Sequence, residues 1–285
     1  MEILKKIESA AKEKNVDLGI GLGDSEYHNH KILKACLNFL KEYESKINIF
    51  GNKTSLNGLF EQIPNRFKSQ IKFVECHEPE NYIFNFLKSN SIQAIVRGSL
   101  SSNKFLKNLK INLLVKEINR LALLETSDRQ QFFYGPVGID ECNSLESKVV
   151  FLEAAIKQLR DLNINPKISI LSGGRISDIG RNDKVDKSIK DAEKIVELIE
   201  KKYPKLMISH DEILIEKAIE NKSNLILAPD GISGNLIYRT LVHLGAGKAN
   251  GAIYMGVPKT VIDTSRVGPQ SEIFGALVLA LALSK

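Results

Sequence analysis

The chain has 285 residues, a net charge of +6, and 43 % hydrophobic and 26 % charged residues. These are ordinary globular values, which exclude a disordered or fibrous chain. The positive charge favours small anionic partners such as phosphates. The lysines are spread along the chain, so no compact basic block predicts nucleic acid as a partner. The three cysteines, Cys36, Cys76 and Cys142, are far apart and odd in number, which argues against a disulfide framework and fits a reducing compartment.

The two ends of the chain show no targeting or membrane signal. The N-terminal segment lacks the apolar core of a signal peptide. The apolar run at 273–283 is well short of the ~20 residues that cross a bilayer. We therefore expect a soluble, cytoplasmic protein that does not bind a membrane.

Short apolar runs alternate with amphipathic segments along the chain. The predicted strands and helices are, in chain order, a strand at 16–23, a helix at 30–45, strands at 46–51 and 71–78, a helix at 79–90, strands at 92–100 and 167–175, a helix at 184–204, and a strand, loop and helix within 224–245. Such alternation predicts βαβ units, largely parallel sheets and an α/β fold. The polar stretch 126–131 is the best candidate for a crossing between two domains.

In parallel sheets, ligands bind beyond the carboxyl ends of the strands. The segment SRVGPQSE at 265–272 follows a predicted strand and precedes the C-terminal apolar run. Arg266 there suits a phosphate or an oxyanion, Ser265 could donate a hydrogen bond to developing negative charge, and Glu272 could act as a base. The same pattern also fits a plain helix entry, with Ser271 as the N-cap, Glu272 in the first turn and Arg266 on the surface.

Two further loops carry candidate binding residues. Arg97, Gly98 and Ser99 follow the strand at 92–100 and could hold a phosphate with backbone amides and hydroxyls. Asp230 and Asn235 lie in the segment APDGISGN, where glycines allow a close approach of the backbone. Each loop alone is a weak signal, because an ordinary strand–helix turn has the same composition.

Other chemistries are not supported by the motifs. The segment GIGLGDSE has Glu26 where a dinucleotide fingerprint needs its third glycine. His28 and His30, near Asp24, are two residues apart and do not share one helix face, so a polar helix N-terminus is favoured over a metal site. No metal is expected.

Several of these motifs resemble, in order, those of the phosphate acetyl/butyryltransferase superfamily. The passage YGPVGIDECNSLESK…ISILSGG is similar to that superfamily's N-x-x-P-x-L-E-x-K and LS segments, APDGISGNLIYR to its PD-x-x-x-G-N turn, and IDTSR to its SR loop. VRGS and APDGISGN further resemble the methanogen proteins called methanogenesis marker protein 4, or methyltransferase subunit X (the MtxX family).

The resemblance implies a two-domain α/β fold like that of isocitrate and isopropylmalate dehydrogenases, with an active site in the interdomain cleft. The implied first domain is 1–128 plus 250–285, and the second is 129–249. The resemblance also implies a homodimer formed through the second domain.

The resemblance further implies roles for individual residues. Ser265, Arg266 and Glu272 match the catalytic positions, and Arg97, Gly98, Ser99, Asp230 and Asn235 are the expected substrate-binding residues. The family's acid is an aspartate, so the extra methylene of Glu272 moves the carboxylate by roughly 1.5 Å. That shift is large enough to matter for catalysis.

Three functions are compatible with these residues. The first is acyl transfer between phosphate and a thiol such as coenzyme A, with no covalently bound cofactor. The second is methyl transfer in methanogen archaea as a subunit that acts with methyltransferase partner proteins, although no S-adenosylmethionine or corrinoid motif is found. The third is a non-catalytic binding or regulatory protein.

Overall fold

The structure is a computed structural model that describes residues 3–284. The strands are β1 Asp17–Gly21, β2 Lys46–Gly51, β3 Ile71–Glu75, β4 Ala94–Val96, β5 Asn119–Glu125, β6 Gln131–Gly135, β7 Lys167–Ile170, β8 Met207–His210, β9 Leu225–Leu227, β10 Lys248–Met255 and β11 Thr260–Asp263. The helices are α1 Ile3–Lys12, α2 Glu26–Glu42, α3 Lys53–Leu56, α4 Pro79–Lys88, α5 Ser102–Leu113, α6 Leu145–Asp161, α7 Asp183–Lys202, α8 Ile215–Glu220, α9 Gly231–His243 and α10 Gln270–Leu283.

The chain divides into two compact units. The first contains Ile3–Ile118 and the segment that starts at Ala249, and the second contains Asn119–Lys248. From the sequence, the crossing from the first to the second domain is expected ten residues later, at residue 128, because the stretch 126–131 is polar. In the structure this polar stretch is the turn and first residue of an antiparallel hairpin of β5 and β6. A hairpin turn and a linker have the same polar composition, and only the pairing tells them apart.

The first unit is built on a mixed sheet in the order β3-β2-β1-β4-β11-β10. The pairs from β3 to β11 are parallel, while β11 and β10 are antiparallel. Helix α10 packs on α1, α2 and strands of this sheet. Its residues are apolar on almost every side and nearly all are buried, as expected for a helix that is covered all round.

The second unit is built on the strand order β5-β6-β9-β7-β8. The pairs β6–β9, β9–β7 and β7–β8 are parallel. The carboxyl ends of β9, β7 and β8 therefore meet at one edge, from which the loops before α9 and α7 emerge. No described helix combines the length and apolar character that a bilayer crossing requires.

Most predicted elements are present, with shifted ends. The predicted strand at 46–51 is β2, and the predicted helix at 184–204 is α7. The strand predicted at 92–100 ends already at Val96, and the helix predicted from residue 30 begins at Glu26. The first shift lengthens the loop after β4, which carries Arg97, Gly98 and Ser99. The second shift shortens the loop between β1 and α2. Both loops lie at the carboxyl edge of the first sheet.

Candidate functional site

Two loops leave the first sheet side by side. Strands β4 and β11 are parallel neighbours, with Val96 opposite Ile262. The backbone N–H of Arg97 donates to the Ile262 carbonyl at 2.9 Å, and the Thr264 hydroxyl donates to the Gly98 carbonyl at 3.0 Å. The strand pairing therefore brings the segments RGS and SR together, although they are more than 160 positions apart in the sequence.

The side chain of Arg97 is buried and bound to protein atoms. Its Nε donates to the Asp263 carboxylate, its Nη2 to the Thr264 carbonyl, and its Nη1 to the Leu100 carbonyl at 2.7 Å. Only 5 % of the residue is exposed. Arg97 thus braces the two loops against each other, and its predicted contact with phosphate stays a prediction.

Gly98 and Ser99 are also held by the protein itself. Gly98 has a φ of +64°, and a Cβ there would lie 2.2 Å from the Gly21 carbonyl oxygen. The Ser99 hydroxyl accepts from the Gly23 backbone N–H at 2.8 Å and donates to Asn29 Oδ1 at 2.9 Å. Gly98 therefore allows the loop after β4 to pack closely against the carboxyl end of β1.

Glu272 lies in the first turn of α10 and is 1 % exposed. Its Oε1 accepts from the backbone N–H of Ser265 at 2.6 Å. The Gly268 N–H donates to the Ser265 carbonyl at 3.0 Å and closes a tight turn. A Cβ on Gly268 would lie 2.1 Å from Glu272 Oε2, so the turn wraps closely around the carboxylate. The N-terminus of a helix also favours a negative charge there.

Arg266 is presented outward by this turn. The residue is exposed, and no described hydrogen bond or ion pair within residues 3–284 involves its guanidinium. Ser265 beside it is half-buried. Arg266 is thus able to bind an anion without first breaking contacts within the protein, in contrast to Arg97.

Helix α2 brings Lys31 into contact with this turn, a residue that sequence motifs did not assign to it. Lys31 Nζ donates to the Gly268 carbonyl at 2.6 Å. His28 lies one helical turn before Lys31, and its Nδ1 is buried with no hydrogen-bond partner among the described residues. The spacing of His28 and His30 disfavours a metal site, and sequence motifs gave His28 no other role. The i, i+3 spacing of His28 and Lys31, just beyond the carboxyl end of β1, was the usable signal.

The charges of these residues influence one another's pKa. Burial lowers the pKa of His28, and the positive charges of Lys31 and Arg266 lower it further. Burial also lowers the pKa of Lys31, while the negative charge of Glu272 acts in the opposite direction. The turn at 265–268 is therefore surrounded by basic side chains and encloses one buried carboxylate.

The two candidates of the second unit have structural roles. Asp230 is the N-cap of α9, and its Oδ1 accepts from the N–H groups of Ile232 at 2.9 Å and Ser233 at 2.8 Å. Asn235 Nδ2 donates to the Val137 carbonyl at 2.7 Å. A Cβ on Gly231 would lie 1.8 Å from the Gly138 carbonyl oxygen, so this glycine admits a protein loop.

No group of three or more His, Cys, Asp or Glu side chains in 3–284 could hold a metal ion. His30 Nε2 lies 3.4 Å from Glu26 Oε1, but these two side chains are a pair and not such a group.

Comparison with known proteins identifies the family. Residues 85–281 match the family described as "Phosphate acetyl/butaryl transferase". A protein of Methanosarcina mazei named "Putative methyltransferase mtx subunit X" is 35 % identical over 284 residues, which cover 99 % of this chain and 95 % of that protein. A protein of the same name from Methanosarcina barkeri is 41 % identical over 218 residues, or 76 % of this chain and 78 % of that one.

Solved structures show the same fold. The EutD phosphotransacetylase from Staphylococcus aureus is 14 % identical, with a TM-score of 0.72 over 98 % of this chain and 97 % of that one. A 4-hydroxythreonine-4-phosphate dehydrogenase structure from Klebsiella pneumoniae is 11 % identical, with a TM-score of 0.61 over 94 % of this chain and 99 % of that one. The predicted phosphotransacetylase-like α/β fold is therefore confirmed.

The chain thus belongs to the phosphate acetyl/butyryl transferase family and, within it, to the group of methanogen proteins named methyltransferase mtx subunit X.

Proposed function

We propose that the protein is a transferase-like member of this family that binds phosphate or an acyl phosphate at the turn Ser265–Gly268. The observation that carries the proposal is the exposed Arg266 guanidinium, which no described contact engages, beside the half-buried Ser265. A planar guanidinium binds phosphate oxygens in pairs, and a serine hydroxyl adds a further donor. The nearby Lys31 makes this region still more favourable for an anion.

The reaction that suits this geometry is acyl transfer to a thiol of the coenzyme A type. The Glu272 carboxylate accepts the thiol proton, the sulfur attacks the acyl carbon, and a C–S bond forms. The C–O bond to phosphate breaks, and phosphate leaves with the electron pair. Arg266 and Ser265 stabilise the negative charge on the tetrahedral intermediate and on the departing phosphate.

Burial of Glu272 bears directly on this chemistry. A base must reach the proton it removes, within hydrogen-bond distance or through one water. Glu272 is 1 % exposed and already accepts from the Ser265 N–H. Acyl transfer therefore requires the turn at 265–268 to open or shift when the thiol binds, whereas phosphate binding at Arg266 does not.

Binding and turnover are tested separately for this reason. Calorimetric titration with orthophosphate should give binding that is lost in Arg266→Gln, and a panel of acetyl, butyryl and longer acyl phosphates with coenzyme A should give thioester. Phosphate binding without thioester at high enzyme concentration would leave the non-catalytic binding protein as the function. No phosphate binding by the wild-type protein would overturn the proposal itself.

Residues Arg97, Gly98, Ser99, Asp230 and Asn235 remain predicted substrate contacts. Each has a described contact inside its own unit, so a substrate would have to share or replace it. That the substrate lies in a cleft between domains stays a prediction as well.

A second function is favoured by the names of the relatives. The Methanosarcina proteins that match nearly the whole chain are named as a subunit of a methyltransferase, which implies partner proteins. Tagged protein purified from a methanogen should then retain a methyl-transfer protein through a high-salt wash. Purification of the homogeneous chain alone, with thioester-forming activity, would exclude this second function.

A homodimer is part of the proposal. In the second unit, Ile232 and Leu236 lie one turn apart on α9 and are each 61 % exposed, and Leu244 beyond the helix end is 84 % exposed. Apolar side chains grouped in this way commonly mark an interface between subunits.

A further inference from the structure

The turn that presents Ser265 and Arg266 is held from two sides. On the inside, Glu272 Oε1 accepts from the Ser265 N–H at 2.6 Å. On the outside, Lys31 Nζ donates to the Gly268 carbonyl at 2.6 Å. The position and orientation of Arg266 therefore depend on a carboxylate from α10 and an amine from α2, two helices that pack against each other in the first unit.

Lys31 is itself well placed for this role. Its ammonium group lies over the Tyr27 ring, 5.1 Å from the ring centroid, which adds a cation–π contact. The residue is partly buried, so its side chain has less freedom than that of a surface lysine. Lys34 lies three residues after Lys31 on α2. It is exposed and has no described contact with residues 265–268.

The charge of Lys31 also matters to Glu272. A carboxylate that is 1 % exposed loses most of its hydration, so a favourable charge near it helps to stabilise it in the fold. The interaction between the charges of Lys31 and Glu272 is favourable. Removal of the Lys31 charge therefore withdraws a favourable interaction from a buried carboxylate, which is destabilising.

We propose that Lys31 is a positioning residue of the candidate site: it ties the turn 265–268 to α2 and supplies the positive charge that offsets the buried carboxylate of Glu272. Its effect on anion binding rests on the proposed function, since it acts through the orientation of Arg266. Its coupling to Glu272 does not depend on what the site binds.

The first test is a double-mutant cycle on stability. Lys31→Met removes the charge and the donor at similar length, and Glu272→Gln removes the negative charge. We expect Lys31→Met to lower the urea midpoint clearly in the wild-type background and much less in the Glu272→Gln background, because the carboxylate charge with which Lys31 interacts is then absent. Equal losses in the two backgrounds would overturn the proposal.

The second test is orthophosphate affinity, with two matched variants. Lys31→Met should weaken phosphate binding by about tenfold or more, the scale of one lost hydrogen bond to a charged group. Lys31→Arg, which keeps the charge and a donor, should restore most of the affinity, whereas Lys34→Met should bind as the wild type does. An unchanged affinity in Lys31→Met would also overturn the proposal.

The two tests separate this inference from the proposed function. If the wild-type protein binds no phosphate, the proposed function fails, and the stability cycle alone decides whether Lys31 is coupled to Glu272. If phosphate binds and the cycle shows no coupling, the proposed function stands and the role of Lys31 is refuted.

Discussion

Two arginines of the first unit differ in what surrounds their guanidinium groups. Arg97 binds Asp263 and two carbonyl groups and is 5 % exposed, whereas Arg266 is exposed. The same residue type, one or two positions from a candidate serine, can therefore serve structure or binding. Exposure and existing contacts decide between the two.

The contrast predicts opposite effects of the same substitution. Arg97→Met should lower the free energy of unfolding by about 3–5 kcal/mol, because it removes the guanidinium that is ion-paired with the buried Asp263 carboxylate. Arg266→Met should change it by no more than about 0.5 kcal/mol, as is usual for an exposed residue, while abolishing phosphate binding. Urea unfolding and calorimetric titration measure both. A stable Arg97→Met protein that has lost phosphate binding would instead support the predicted contact of Arg97 with substrate.

His210 gives the second unit a pH-dependent stability. Burial lowers its pKa from the ordinary 6.5, and this outweighs the nearby carboxylates of Glu193, Glu212 and Asp211, which raise it, while Lys217 also lowers it. Its Nε2 lies 2.8 Å from the Ser172 hydroxyl oxygen. Between pH 6.5 and the lowered pKa, the unfolded chain therefore binds a proton that the folded chain does not.

We expect the free energy of unfolding to fall as the pH falls from 6.5 toward the lowered pKa of His210. In His210→Asn this contribution is absent, so the variant should lose less stability between pH 7 and pH 5 than the wild type. Other histidines are the same in both proteins, so the difference isolates His210. Parallel pH curves for the two proteins would show that the imidazole keeps its ordinary pKa in the fold.

At the scale of elements, the loop before α9 shows how a helix end uses residues that resemble a binding motif. Asp230 accepts from two backbone N–H groups of the first turn, and Ser233 Oγ lies 3.1 Å from the same carboxylate oxygen. The first N–H groups of any helix need such partners. The PDG turn is therefore explained locally, before any ligand is considered.

Substitution of this cap has a calculable cost. Asp230→Ala should lower the free energy of unfolding by about 0.5–2 kcal/mol, and Asp230→Ser should lower it by less, since serine is also a good N-cap. Thermal and urea unfolding measure the difference. If Asp230→Ala unfolds as the wild type does and yet loses substrate or phosphate affinity, the aspartate contacts the ligand.

Helix α10 shows which elements a sequence predicts well. Its apolar residues predict a buried C-terminal helix from composition alone, and the structure confirms it, with the helix beginning at Gln270. Ser271, the N-cap in the alternative interpretation of this segment as a plain helix entry, lies inside the helix, whose N-cap is Pro269. The apolar residues of α10 predict its interior, whereas the residue at which this helix begins depends on the turn before it.

At the scale of the whole molecule, the predicted homodimer can be tested on α9. We expect Ile232→Lys combined with Leu236→Lys to convert a dimer into a monomer, because two charges would be buried in an apolar interface. Light scattering after size-exclusion chromatography measures the mass.

Ile111→Lys is the matched control, since Ile111 lies on α5 of the first unit and is 59 % exposed. It should leave the mass unchanged. A monomeric wild-type protein, or a dimer that survives both lysines on α9, would contradict the prediction.

The sequence by itself determined the α/β class, the buried last helix and the family, since these depend on local periodicity and on several motifs in a given order. It also marked Ser265, Arg266 and Glu272 as a group. Only the tertiary structure decided that Arg97 is buried and that Lys31 on α2 contacts the same turn. Arg97 and Thr264 are 167 positions apart, and Lys31 and Gly268 are 237 positions apart. Strand pairing and helix packing, which no local pattern encodes, bring them together.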